Sequence, residues 1–110
     1  MAEVKKMASS AAYLDFLLDQ LSLLKDISYR PMMGEYIIYC QGKIIGGIYD
    51  NRFLVKQTKS ARRLMPDAPL ELPYEGAKAM ILVDAIDNRE FLEMLLHEML
   101  KELPAPKSRK

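Results

Sequence analysis

The 110-residue sequence has no tryptophan, one cysteine, one histidine and five glycines. Each scarcity excludes something. A lone Cys40 cannot form an internal disulfide, so the chain holds together by its core and fits a reducing compartment. One histidine and one cysteine cannot build a usual zinc site. No apolar run approaches the roughly 18 residues of a membrane-spanning helix. The start, MAEVKKMASS, has no apolar segment after its lysines, so no signal peptide is expected and the expected setting is the cytoplasm, with no membrane partner. Charge of either sign is not in excess: 16 Lys and Arg against 15 Asp and Glu give a net +1, so bulk charge points to neither nucleic acid nor membrane. What is abundant is apolar side chain, half of all residues, enough for one compact core at this length.

The patterning predicts an α+β chain. Residues 1–8 read as a loose tail, 9–103 as a single domain and 104–110 as a disordered, proline-broken basic tail. A first helix is expected from Ser9 or Ser10, with Tyr13, Leu14, Leu17, Leu18, Leu21 and Leu24 on one stripe. Phe16 and Leu23 fall on its back and suggest a second contact there. Strands are expected at 36–40, 43–49, 52–57 and 79–83, with two-residue turns at Gln41-Gly42 and Asp50-Asn51. A short helix from Thr58 to Met65 ends at Pro66. The loop 66–76, carrying Pro66, Pro69 and Pro73, is long enough to be a functional loop or a strap across the sheet. Asp87 and Glu90 read as a capping box for a last helix whose stripe is Phe91, Leu92, Leu95, Leu96, Met99, Leu100 and Leu103. The sum is an antiparallel sheet of about 4–5 strands with two long amphipathic helices and one short one.

Ideal two-residue turns place Tyr39 opposite Ile44, Ile37 opposite Gly46, Ile48 opposite Phe53 and Val55 opposite Gly46. That face is wholly apolar and is expected under the helices. The other face would carry Tyr36, Ile38, Cys40, Ile45, Gly47, Tyr49 and Leu54 with Arg52 and Lys56. It is too apolar for a solvated face, so another chain element, a second subunit or a ligand is expected to cover it. Gly34 reads as a glycine needed for a bend with positive φ, and Gly46 and Gly47 as room for a large neighbour lying flat on the sheet.

Within 29–57, Arg30-Pro-Met-Met-Gly34-Glu-Tyr36 followed by Tyr39, Gly42-Lys43, Gly46, Asp50 and Lys56 resembles the N-terminal domain of the competence regulator TfoX, also called Sxy. The resemblance spans about residues 9–103, more loosely in the second half through Pro73-Tyr74, Lys78 and Met80. It implies an α+β fold with an antiparallel sheet, dimers, and no catalytic residue. The family's full-length regulator carries a further helical domain; the sequence ends at Lys110 without one, so a stand-alone module is expected.

The functional expectation is a non-enzymatic homodimeric interaction or regulatory module, open to an unidentified protein partner, with no metal or cofactor. Tyr36, Ile38, Ile45, Tyr49 and Leu54 would supply apolar area, and Arg52 and Lys56 register. The first alternative is a small anionic ligand bound by the tyrosines with Arg52 and Lys56. The second is nucleic-acid binding by Arg52, Lys56, Lys59, Arg62 and Arg63, a stretch free of acids, though without a stacking series or helix-turn-helix spacing. Cys40 reads as a small buried apolar residue and His97 as a solvated one.

Overall fold

The computed structural model describes residues 9–104. The expected tails, 1–8 and 104–110, lie outside it except for Pro104. The order is α1 (Ala11–Gln20), β1 (Ile27–Met32), β2 (Glu35–Cys40), β3 (Lys43–Ile48), β4 (Phe53–Val55), α2 (Lys59–Leu64), β5 (Leu70–Glu71), β6 (Met80–Leu82) and α3 (Arg89–Leu100). The strands form one antiparallel sheet in the order β1-β2-β3-β4-β6-β5. This is the expected α+β class, with two longer helices and one short one.

Three successive hairpins, each through a two-residue turn, build β1–β4, and β6 and β5 extend the sheet beyond β4. Met33-Gly34, Gln41-Gly42 and Asp50-Asn51 all hold positive φ at both positions. Such turns match the right-handed twist of the strands they join. The first of them was not foreseen, because β1 itself was not: it carries Pro31, which breaks the pattern of a strand. Counting pairs back from the turn, Pro31 faces the open edge, where its missing N–H breaks no ladder bond.

The helices cover one side of the sheet. Leu14, Leu17, Leu21 and Leu24 from the first helical segment and Leu92, Leu95, Leu96 and Met99 from α3 close over Ile38, Cys40, Ile45, Ile48, Phe53, Val55, Ile81 and Val83. Fully burying one such side chain is worth about 1.5–3 kcal/mol, which accounts for both leucine stripes. Ser10 caps α1 by accepting from the Tyr13 N–H, as expected. The helix stops at Gln20, so Leu23 lies beyond it and does not share a helical face with Phe16; both are exposed. Asn88, not Asp87, caps α3, its side chain accepting from the Phe91 N–H.

The expected face assignment needs correcting. Tyr39 does pair with Ile44, Ile48 with Phe53 and Gly46 with Val55, but Ile37 pairs with Gly47 and Ile38 with Gly46. The register shifts between Ile38 and Tyr39, leaving Ile45 as the extra residue of a β-bulge. The bulge reverses the alternation of β2 relative to Ile48, Phe53 and Val55. Ile38, Cys40 and Ile45 therefore point into the helical core, and Ile37, Tyr39 and Ile44 lie on the far side.

Candidate functional site

The far side of the sheet, its outer face, divides into a covered half and an open half. Covering begins at Tyr49, the last residue before the Asp50-Asn51 turn. Its ring occupies the space above Gly47: a Cβ there would sit 2.7 Å from Tyr49 Cε2 and 2.6 Å from the Tyr36 carbonyl oxygen. The large flat neighbour for which Gly47 leaves room is thus Tyr49 itself, whereas Gly46 makes way for the backbone of Leu54 and Val55. Arg52, on the other arm of the turn, donates from Nη1 to Glu71 Oε1 at 2.8 Å and from Nε to the Tyr49 carbonyl at 3.2 Å. The ion pair joins β5 to the β3–β4 hairpin. Past β5 the chain turns over the outer face, and the Tyr74 ring comes to 6.5 Å from that of Tyr49, tilted by 58°. Leu54 is fully buried on this side. The proline-rich loop is a strap, and its last part, residues 72–79, covers the sheet.

Between strap and sheet lies a cleft of about 600 Å³. Ile44, Gly46, Tyr49, Lys56 and Gln57 line it from the sheet, and Pro73, Tyr74 and Ala77–Met80 from the strap and the start of β6. Gln57 Nε2 donates to the Ala79 carbonyl at 2.9 Å and ties the two walls together. Lys56 and Lys78 bring two ammonium groups, and no carboxylate is among the lining residues. Burial, followed by the neighbouring Tyr74 and Glu35, pushes the Tyr49 phenol above its ordinary pKa, still further from titration at neutral pH.

The open half lies over β1–β3. Ile37 and Tyr39 are half-buried there and Ile44 is exposed, while Ser28 and Arg30 flank them on β1. All three helices pack on the opposite side.

The residues expected to form one recognition surface are therefore separated. Ile38 and Ile45 are fully buried under the helices and Leu54 under the strap side, so none has surface to offer a partner. Tyr36 packs against the helical core and meets Tyr29 edge-on at 5.8 Å. Of the expected set, Tyr49 and Lys56 reach the cleft, and Arg52 is held by Glu71. Tyr74 and Lys78 were missed as site residues; the signal was the long proline-punctuated loop that carries them. Ile37, Tyr39 and Ile44 were placed on the wrong face.

The basic stretch is also divided. Arg52 and Lys56 sit on the outer face, Lys59, Arg62 and Arg63 on α2. Arg63 lies 3.8 Å from Glu98, Arg62 donates to Gln57, and the Glu102 carboxylate accepts from the Lys59 and Ser60 N–H groups. Carboxylates thus intervene in space where none does in sequence. Cys40 is buried, donates to the Lys25 carbonyl at 3.6 Å, and has its thiol pushed up by burial and then by Asp26. That is the reverse of an activated thiolate. His97 is exposed on α3. Among the described residues no three His, Cys, Asp or Glu side chains are grouped to hold a metal, and no helix is long and apolar enough to cross a membrane.

Comparison with known proteins gives two matches. The family model described as TfoX N-terminal domain matches residues 19–94. The chain is also similar to an uncharacterized 12.7 kDa protein in the trpE 5′ region of Spirochaeta aurantia. The two are 34% identical over 105 residues, 94% of this chain and 91% of that protein. No solved structure is significantly similar to the chain.

Proposed function

The chain belongs to the TfoX N-terminal domain family, and from that premise we propose that it is a non-enzymatic interaction or regulatory module that works as a homodimer. The observation that carries this reading is the open half of the outer face. Ile37, Tyr39 and Ile44 form an apolar strip on the side away from the helices, which the strap reaches only at its margin, beside Ile44. A sheet whose second side stays in water usually alternates apolar with polar residues. Contiguous apolar surface on a small domain marks an interaction site.

A second copy of the chain fits this strip through its face and not through its edge. Edge-to-edge pairing of β1 would need its outward N–H groups, and Pro31 removes one of them. Face-to-face contact needs only self-complementary apolar area, with Arg30 at the rim to set register, as a two-fold interface requires. The apolar surface assigned from sequence to Ile38, Ile45 and Leu54 passes to Ile37, Tyr39 and Ile44.

Sedimentation velocity over a concentration series tests the reading. The chain is expected to sediment as a dimer at the upper end. Tyr39→Glu puts a charge in the strip and should raise the dissociation constant at least about tenfold. Its secondary structure by circular dichroism should remain. A monomer at every concentration, or a dimer indifferent to Tyr39→Glu, overturns the proposal.

A further inference from the structure

We propose that the cleft between the outer face and the 72–79 strap is a binding site for a small anion with a flat apolar body, an aryl carboxylate or aryl phosphate in chemical class. This site adjoins the proposed dimer strip, with Ile44 common to both, but its lysines and tyrosines lie outside that strip and it does not depend on dimer formation.

Size comes first. A cleft of about 600 Å³ lies within the usual range for small-molecule sites. Charge selects the occupant. Lys56 and Lys78 line the cleft, neither forms an ion pair with any described residue, and no carboxylate lines it. Two lysines lining one cleft without a carboxylate among its lining residues favour an anionic occupant. Shape selects the body: the Tyr49 and Tyr74 rings with Ile44 and Met80 offer flat and aliphatic walls.

An independent observation concerns Tyr49. It is only 7% exposed overall, and its ring forms part of the cleft wall. A tyrosine phenol is protonated at neutral pH, so this one can donate to an anionic oxygen bound in the cleft. Arg52, which the sequence also suggested for anion recognition, is engaged by Glu71 and positions the strap instead.

The test is isothermal titration calorimetry of the full chain at low salt with benzoate and with phenyl phosphate. Benzyl alcohol serves as the uncharged control. Either anion is expected to bind saturably in the range of about 10 μM to 1 mM, at least about tenfold tighter than benzyl alcohol. Preference between the two anions distinguishes a carboxylate site from a phosphate site. The double variant Lys56→Ala/Lys78→Ala should lose at least about tenfold in affinity, and Tyr49→Phe a smaller factor, each with its thermal midpoint checked. Tyr39 does not line the cleft, so Tyr39→Glu should retain saturable anion binding even as a monomer, and failure of the dimer and failure of the site are read apart. No saturation by either anion up to about 10 mM, equal binding of benzyl alcohol, or affinity unchanged in a folded lysine variant overturns the proposal.

Discussion

A single absent methyl group governs the centre of the sheet. A Cβ on Gly46 would lie 2.0 Å from the Leu54 carbonyl oxygen and 2.7 Å from the Val55 Cα, both backbone atoms that cannot swing aside. On Gly47 a Cβ would meet one backbone oxygen and the movable ring of Tyr49. Gly46→Ala is therefore expected to cost at least about 3 kcal/mol and Gly47→Ala about 1–3 kcal/mol, measured by urea unfolding. Equal costs would contradict the distinction between backbone and side-chain obstacles. The residues behind the family resemblance have similarly local duties. Gly34 and Gly42 take positive φ. Glu35 accepts from Ser9 Oγ at 2.5 Å and from the Asp50 N–H at 3.1 Å, joining two hairpin turns to the entry of α1. Lys43 Nζ donates to the Leu100 carbonyl at 2.9 Å, satisfying an orphan acceptor at the end of α3. The special backbone at Gly34 was legible from its place before a strand. The duties of Glu35 and Lys43 were not, because each partner lies on another element and no local pattern announces it.

Among the elements, α2 shows how a six-residue helix is kept. Thr58 accepts from the Ala61 N–H, and Glu102, beyond the end of α3, accepts from the Lys59 and Ser60 N–H groups and from the Ser60 hydroxyl. With the Thr58 N–H donating to the Lys56 carbonyl at 2.9 Å, all four free donors at the helix start are satisfied, two of them by a carboxylate on the favourable end of the helix dipole. The Ser60 hydroxyl, then the two backbone donors, hold the Glu102 carboxyl below its ordinary value of 4.5. A depressed folded pKa stabilises the protein above the unfolded value and ceases to do so as pH falls through the folded one. Glu102→Gln should therefore lower the thermal midpoint at pH 7, with the gap to wild type closing below pH 4.5. A gap as wide at pH 3 as at pH 7 would contradict this. The helices themselves were readable in sequence because burial on one side leaves a period of 3.6. α1 and α3 came within a few residues, and Thr58 was identified as the start of α2. β1 escaped because an edge strand tolerates Pro31, and β5 because two residues carry no pattern.

At the scale of the molecule, the sheet is apolar on both sides, and that much the alternation of β2–β4 revealed. Which residues face which way depended on the extra residue at Ile45. Two-residue turns set the register at either end of β3, but they do not count the residues between. The one local hint was the Gly46-Gly47 pair, since glycine inside a strand often accompanies a bulge. The error moved Ile38 and Ile45 from the core to the surface and moved Ile37, Tyr39 and Ile44 the other way. It also hid the cleft, whose second wall comes from a strap distant in sequence.

The three tight turns have one more effect, on the order of events as the chain collapses. Each strand from β1 to β4 finds its partner immediately next in sequence, so this ribbon can zip with small loops, whereas α1 must close on α3 across some seventy residues. The meander should be formed in the rate-limiting barrier and the helical layer should settle afterwards. In stopped-flow experiments Gly42→Ala would then mainly slow refolding, and Leu96→Ala mainly hasten unfolding. The reverse partition would place the helices first.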